Sequence, residues 1–233
     1  MPHIKLLVTD VDGTLTDKRQ VISTKAIEAL RLLESKGVQV SLASGNALPF
    51  LISLQVYIGL SGPIIAENGA IIYYPSNKSK VFLAEPRETR KAALELMKRY
   101  KWLKPVVSWP YREVDFAFYI PSSNYIEEVK RAVSEINSEL KVYYSGFALH
   151  ITYKKLSKGV ALKKIIDDLG ISRNEVAAIG DSETDISLFK ESGFKIALSN
   201  SCKELKEIAD LVVNAPNGEG VAKAIGFLLN SGL

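Results

Sequence analysis

The chain has 233 residues, of which 47% are hydrophobic and 24% are charged, with 15 glycines and 9 prolines. This composition is typical of a globular protein and excludes a collagen-like, coiled-coil or largely disordered chain. The formal net charge is only +4, and its charges are evenly scattered, so we expect no nucleic-acid partner. Because domains average about 150 residues, this length predicts one full core plus an insert.

The cysteine count and the lengths of the apolar runs indicate the environment in which the protein works. The single cysteine, Cys202, cannot form an intramolecular disulfide, and no group of cysteines and histidines has the spacing of a zinc site. The first residues lack the features of a signal peptide. No apolar run reaches the length of about 18 residues that spans a bilayer. We therefore expect a cytoplasmic protein with no membrane partner.

The first part of the chain alternates predicted strands and helices. Residues 4–9 form a short apolar run closed by turn residues, which is typical of a strand buried on both faces. Ser23 is placed to cap the helix that follows. The next predicted elements are a strand at 38–43, a helix at 48–57, a strand at 64–66 and a hairpin formed by 70–74 and 80–83.

The same alternation returns late in the chain. The predicted elements there are a helix at 159–169, a strand at 175–180, a helix at 185–191, strands at 194–197 and 211–213, and a helix at 220–229. Such alternation indicates an α/β fold, a doubly wound, Rossmann-like parallel sheet with helices on both faces.

The pattern changes between residues 84 and 155, a segment that we call the insert. Its predicted elements are helices at 89–100 and 124–136 and strands at 114–120, 141–144 and 148–153. Antiparallel pairing of these strands predicts a small α+β domain inserted into the doubly wound core. The expected domains are therefore a core at 1–83 and 156–233 and an inserted domain at 84–155.

Two carboxylates follow the first strand, at the edge of the sheet where such folds bind ligands. Asp10 can attack a phosphorus atom, while Asp12 can protonate the leaving alcohol and later take a proton from water. Thr14 can donate a hydrogen bond to a phosphate oxygen. A local Asx turn is the alternative explanation for this run of Asp, Gly and Thr residues.

Two further carboxylates follow the strand at 175–180. Asp181 and Asp185 are four residues apart, so in a first helical turn they face the same side. Together with Asp10 they can hold Mg²⁺, which prefers hard oxygen ligands. The alternative is that acids here complement the helix dipole. A dianionic phosphate beside Asp10 needs a cation to relieve repulsion, which favours the metal site.

Ser44 and Lys158 complete the set of candidates at this edge. Ser44 follows the second strand and can donate its hydroxyl to a phosphate oxygen. Lys158 precedes a helix of the returning core and can offset negative charge on the nucleophile and on the transferring phosphoryl group. Taken alone, Ser44 is explained more simply as a helix N-cap and Lys158 as a solvated surface charge.

The chain resembles the haloacid dehalogenase superfamily of phosphohydrolases in four motifs, which are, in chain order, DVDGTLT from Asp10, SGN from Ser44, SKG from Ser157 and GDSETD from Gly180. The resemblance implies that Asp10 is the nucleophile and Asp12 the general acid and base. It also implies that Ser44 and Lys158 contact the phosphate and balance its charge. The insert would then be a mobile cap.

The resemblance also implies a metal site. Mg²⁺ would be held by Asp10, the main-chain carbonyl of Asp12, Asp181 and Asp185. One departure from the superfamily pattern is Asn46, where many relatives have arginine. This departure leaves any role of that position in doubt.

The compact insert and the chain length resemble the archaeal type of phosphoglycolate phosphatase. This resemblance implies Mg²⁺-dependent hydrolysis of a small phosphorylated metabolite, 2-phosphoglycolate foremost. Three alternatives stay open: a phosphatase of sugar or other small metabolite phosphates, a phosphomutase on the same scaffold, and a non-catalytic phosphate-binding module. A homodimer is the default assembly because it is the commonest for soluble proteins.

We expect residues of the insert to contact the part of the substrate that does not react. Its cationic candidates are Arg87, Arg112, Lys154 and Lys155, although each is individually more typical of a solvated surface. His150 lies on a predicted strand of the insert, where cross-strand packing is the simpler explanation and substrate contact the alternative.

Overall fold

The computed structural model describes residues 3–146 and 148–231. Its strands are β1 (Leu6–Thr9), β2 (Gln39–Leu42), β3 (Ile64–Ala66), β4 (Ile71–Tyr74), β5 (Ser79–Phe82), β6 (Lys104–Pro105), β7 (Phe116–Tyr119), β8 (Leu140–Tyr144), β9 (Leu149–Tyr153), β10 (Val176–Gly180), β11 (Phe194–Leu198) and β12 (Leu211–Val213). Its helices are α1 (Thr24–Ser35), α2 (Leu48–Ile58), α3 (Pro86–Arg99), α4 (Ile126–Ile136), α5 (Lys158–Leu169), α6 (Ile186–Lys190), α7 (Lys203–Ile208) and α8 (Asn217–Asn230).

A five-stranded sheet in the order β12-β11-β10-β1-β2 forms the centre of the molecule. Every neighbouring pair in it is parallel. The two adjacent strands β1 and β10 are buried along their whole length, which explains their continuous apolar sequences. The predicted doubly wound α/β core is therefore confirmed.

Alternate residues of β1 point into two apolar layers. Leu7 packs in the layer that includes residues of α1 and α8, whereas Leu6 and Val8 pack in the layer that includes residues of α5 and α6. Because successive side chains of a strand point to opposite faces, helices cover both faces of the sheet. This packing fixes the carboxyl ends of β1, β2 and β10 at one edge.

The strand at Ile64–Ala66 pairs differently from the strands of the central sheet. It forms an antiparallel three-stranded sheet with β4 and β5, which includes the predicted hairpin. An isolated parallel bridge from Ala43 to Ile65 connects it to the end of β2. The turn after β3 therefore lies near the same edge of the central sheet as the predicted site residues.

The insert contains an antiparallel sheet in the order β6-β7-β9-β8, with α3 and α4 packed on it. Its interior includes Phe116 and Phe118, both fully buried. The apolar layer that contains Leu7 continues without a break into this interior. The predicted boundaries at 83/84 and 155/156 stay predictions because packing continues across them.

No helix in the ranges 3–146 and 148–231 is long and apolar enough to cross a membrane.

Gly69 allows the turn after β3 to lie against the start of α5. Its φ is +93°, and a Cβ atom there would lie 2.0 Å from the backbone oxygen of Ser157. Ser157 caps α5 by accepting a hydrogen bond from the N–H of Val160. The absence of a side chain at Gly69 therefore helps to fix the first residue of α5, Lys158.

We expect Gly69→Ala to lower the free energy of unfolding by about 2–4 kcal/mol, because it combines a left-handed backbone with a backbone clash. Gly226→Ala is the matched control, since Gly226 lies inside α8 with open space around it. This control should raise stability by about 0.5–1 kcal/mol. Urea unfolding of both variants tests the expectation, and wild-type stability of Gly69→Ala would contradict it.

Candidate active site

Four of the residues predicted on the core line the same cleft at the edge where the parallel strands end. Asp10 and Asp12 follow β1, Asp181 follows β10, and Lys158 begins α5. The cleft has a volume of about 740 Å³, and residues of the insert form part of its wall. The other residues predicted on the core are all buried; they are Thr14, Ser44 and Asp185.

The ammonium of Lys158 lies between two carboxylates. Its Nζ is 2.6 Å from Asp10 Oδ1 and 2.7 Å from Asp185 Oδ1. Burial raises the pKa of Asp10 well above its usual range, Lys158 opposes this shift, and the nearby Asp185 and Asp181 add to it. Burial alone would lower the pKa of Lys158, but Asp10 and Asp185 outweigh it and raise that pKa. Lys158 therefore carries its charge in the folded protein.

Asp181 and Asp185 are held in different ways around a single 3₁₀ turn, Glu183–Asp185. Asp185 Oδ2 accepts hydrogen bonds from the backbone N–H groups of Asp181 (3.2 Å) and Ser182 (3.0 Å). Asp181 Oδ1 accepts a hydrogen bond of 3.1 Å from Thr14. Burial and the neighbouring Asp185 raise the pKa of Asp181 to about 6. The two acids meet because the chain turns between them, rather than by sharing one helical turn as predicted.

The carboxylates of Asp10, Asp181 and Asp185 can together hold a metal ion. One ligand oxygen from each lies within 4.8 Å of the others. Asp10 Oδ2 is buried and has no hydrogen-bond partner among the described residues, although buried polar atoms are normally paired. Lys158 supplies one positive charge against these three acids, so negative charge remains in excess. This donor set fits a hard divalent cation.

Asp12 and Asp10 both line the cleft, but Asp12 is exposed whereas Asp10 is buried. Asp12 Oδ2 accepts hydrogen bonds from Asn46 Nδ2 (2.7 Å) and from Ser44 Oγ (3.3 Å). Ser44 Oγ also accepts a hydrogen bond from the backbone N–H of Asn46. Asn46, which departs from the superfamily pattern, therefore orients the carboxylate of Asp12.

The hydroxyl of Thr14 donates to Asp181, and Thr14 is fully buried. This contact favours a role in orienting Asp181, whereas the predicted bond to phosphate stays a prediction. Gly13 contributes to the same arrangement, because its φ is +86° and a Cβ atom there would lie 2.4 Å from Asp181 Oδ2. The residues after Asp12 thus shape the position of an acid 167 positions away in the chain.

A polar cluster centred on Asp115 lies on the insert side of the cleft. Asp115 Oδ1 is 2.6 Å from His150 Nδ1 and 3.4 Å from Arg112 Nη1. Its Oδ2 accepts hydrogen bonds of 3.0 Å from Asn68 Nδ2 and from the Tyr143 hydroxyl. Burial opposes ionisation of Asp115, but His150 and Arg112 outweigh it and lower its pKa. The buried charge of Asp115 is therefore compensated by hydrogen bonds and by opposite charge within the cluster.

Glu67 joins the turn after β3 to the insert. Its buried carboxylate accepts hydrogen bonds from the backbone N–H groups of Glu113 (2.9 Å), Val114 (2.7 Å) and Asp115 (2.8 Å). Burial raises the pKa of Glu67 to about 7, although these three donors oppose the shift. Both Glu67 (φ 50°) and Asn68 (φ 56°) have left-handed backbones. This contact fixes the segment that carries Asp115.

Sequence reasoning did not identify Glu67, Asn68 or Asp115. The first two follow a strand, so the rule that ligand-binding residues lie after strands provides a signal for them. No comparable signal exists for Asp115, because three of its four side-chain partners come from distant segments. His150 packs across the sheet on Tyr143, as predicted, with ring centroids 4.8 Å apart. It also lines the cleft.

We expect Lys158→Met to lower the free energy of unfolding by about 3–5 kcal/mol in metal-free buffer, because removing one partner leaves buried charges uncompensated. The loss should shrink as the pH is lowered, since protonation of Asp10 removes one of those charges. Lys164→Met is the control, because the Lys164–Asp168 pair is partly exposed and should be worth at most about 1 kcal/mol. Equal losses in the two variants, measured by urea unfolding, would contradict the expectation.

Comparisons with known proteins identify the family of the chain. The family model of haloacid dehalogenase-like hydrolases matches residues 7–140 and 110–225. A protein of Saccharolobus solfataricus named phosphoglycolate phosphatase 1 is 40% identical over 228 residues, which cover 97% of this chain and 96% of that protein. A phosphoglycolate phosphatase of Staphylothermus marinus is 39% identical over 97% of this chain and 98% of its own length.

Solved structures show the same fold. The crystal structure of protein 0175 of Thermoplasma acidophilum has a TM-score of 0.89 and 30% identity, covering 97% of this chain and 99% of that one. A haloacid dehalogenase-like hydrolase of Bacteroides thetaiotaomicron has a TM-score of 0.84 at 23% identity, with the same coverage. From the family model and these full-length relatives, the chain belongs to the haloacid dehalogenase-like hydrolases.

Proposed function

We propose that this protein is a Mg²⁺-dependent phosphatase that hydrolyses 2-phosphoglycolate to glycolate and phosphate through an aspartyl-phosphate on Asp10. The observation that carries the proposal is the setting of Asp10. One of its oxygens is held by Lys158, and the other has no hydrogen-bond partner among the described residues and lies beside two further carboxylates. The names of the full-length archaeal relatives support the choice of substrate. A cytoplasmic location and a homodimer stay predictions.

Mg²⁺ would be held by Asp10, Asp181, Asp185 and the main-chain carbonyl of Asp12, and it would neutralise the negative charge of these acids beside a dianionic phosphate. Lys158 keeps Asp10 oriented through its 2.6 Å bond to Oδ1. An oxygen of Asp10 attacks phosphorus, so a bond from Asp10 to phosphorus forms as the bond to the alcohol oxygen breaks. Lys158 offsets the charge on the transferring group.

Asp12 supplies the proton transfers. In its protonated form it donates a proton to the departing alcohol oxygen. It then takes a proton from water, whose oxygen attacks phosphorus and releases Asp10 and inorganic phosphate. Its exposure to the cleft gives water access, while Ser44 and Asn46 hold its Oδ2 and leave Oδ1 without a partner among the described residues.

The first test measures phosphate release from a panel of small phosphomonoesters, with Mg²⁺ and with the metal chelated. We expect metal-dependent turnover with 2-phosphoglycolate preferred over sugar phosphates. Asp10→Asn should keep the fold and lose turnover, because an amide does not attack phosphorus. Asp12→Asn should lower kcat by about 10²–10⁴-fold, the usual contribution of acid–base catalysis.

Product analysis separates the alternatives. Conversion of a sugar monophosphate to its isomer without phosphate release would indicate a phosphomutase. Ligand binding with no turnover of any ester would indicate a binding module. Substantial residual turnover in folded Asp10→Asn would rule out Asp10 as the nucleophile.

Thr14→Val separates two roles of Thr14. If Thr14 orients Asp181, the variant should raise the Mg²⁺ concentration for half-maximal activity by about 10–100-fold, as is usual for loss of a group that orients a metal ligand. The KM for substrate at saturating Mg²⁺ should change little. A raised KM with unchanged Mg²⁺ dependence would instead assign Thr14 to the phosphate.

A further inference from the structure

Two cationic or basic side chains of the insert line the cleft but have no part in the phosphoryl transfer described above. They are Arg112 and His150, each only 3% exposed. The other cationic candidates of the insert, Arg87, Lys154 and Lys155, are exposed and do not line the cleft. Burial of a charged side chain is costly unless it is paired or binds a ligand, so the position of Arg112 needs an explanation.

Asp115 explains how these side chains are held. It is fully buried, does not line the cleft, and accepts four donors, two on each oxygen. Asn68 also donates a hydrogen bond to the Tyr143 hydroxyl. The two groups that bond Oδ2 of Asp115 are therefore bonded to each other as well. With its oxygens occupied in this way, Asp115 acts as a positioning residue for Arg112 and His150.

Arg112 and His150 each have one side-chain nitrogen that is not bonded by any described residue. Arg112 uses Nε for Ser108 Oγ (3.0 Å) and Nη1 for the backbone oxygen of Asp115 (3.0 Å), so Nη2 has no partner among the described residues. His150 uses Nδ1 for Asp115, so Nε2 likewise has no partner there. A guanidinium fixed in this manner matches a planar carboxylate well.

The same cleft contains Asp10 and Lys158 on the core side and Arg112 and His150 on the insert side. We propose that Arg112 and His150 form a subsite for the carboxylate of a short phosphorylated hydroxy acid whose phosphate lies at Asp10. This proposal rests on the proposed function and deepens it, because it assigns the residues that distinguish an acid phosphate from a neutral one. Glu67 supports the subsite by fixing the backbone of Asp115.

The test compares two substrates that differ at the carboxylate. They are 2-phosphoglycolate and 2-hydroxyethyl phosphate, which has a neutral hydroxyl group in place of the acid. The measured quantity is the ratio of their kcat/KM values, which does not depend on the fraction of enzyme that is folded. The ratio in the wild-type enzyme should favour 2-phosphoglycolate.

Arg112→Gln should lower this ratio by about 10–100-fold, the usual effect of losing a hydrogen bond to a charged group. Arg112→Lys should restore part of it by keeping the charge. His150→Asn should lower the ratio in the same direction, because an Asn amide can replace Nδ1 at Asp115 but does not reach as far as Nε2. Lys154→Gln removes an exposed charge of the insert and should leave the ratio unchanged.

Three outcomes would overturn the proposal, and they are distinguishable. If Arg112→Gln lowers turnover of both substrates equally, the carboxylate subsite is wrong and the phosphatase function stands. If the wild-type enzyme hydrolyses both substrates equally well, no carboxylate subsite exists, and again the phosphatase function stands. If the wild-type enzyme hydrolyses neither ester but remains folded, the proposed function fails and the subsite fails with it.

Discussion

The charge balance around Lys158 is the constraint on which the rest of the site depends. The sheet brings the acids that follow β1 and β10 to one edge, where their burial makes ionisation costly. The ammonium of Lys158 is paired with two of them, and it reaches them because it begins α5. The start of α5 is fixed in turn by Ser157 and by close approach of Gly69. Helix capping and turn geometry therefore place the positive charge of Lys158 beside Asp10.

The two walls of the cleft carry different kinds of side chains. The core side gathers acids and one lysine, a combination suited to a cation and a phosphoryl group. The insert side presents Arg112 and His150, held by a buried carboxylate. The turn after β3 contacts both sides, since Asn68 lines the cleft and donates to Asp115. The proposed chemistry and the proposed recognition thus lie on opposite walls of the cleft.

The positions of the motif acids were predictable from the sequence, because parallel strands place the residues that follow them at one edge. Asp10 and Asp181 come together for this reason, whereas Lys158 reaches Asp10 from the start of α5. The partner of Thr14 was not predictable, because a short local motif does not specify an acceptor far along the chain. The Asp115 cluster was hidden for a similar reason. Its members come from β8, β9, the segment before β7 and the turn after β3, and only tertiary packing brings them together.

The contact between Glu67 and three successive backbone N–H groups has a mechanical consequence. When one body rotates about a fixed point of another, displacement grows with distance from that point. Asp115 is one of the three residues bonded at this point, whereas α4 takes no part in the contact. A rotation of the insert that kept these three bonds would move Asp115 and its neighbour Arg112 least. The contact would thereby keep the proposed carboxylate subsite in place while more distant parts of the insert move.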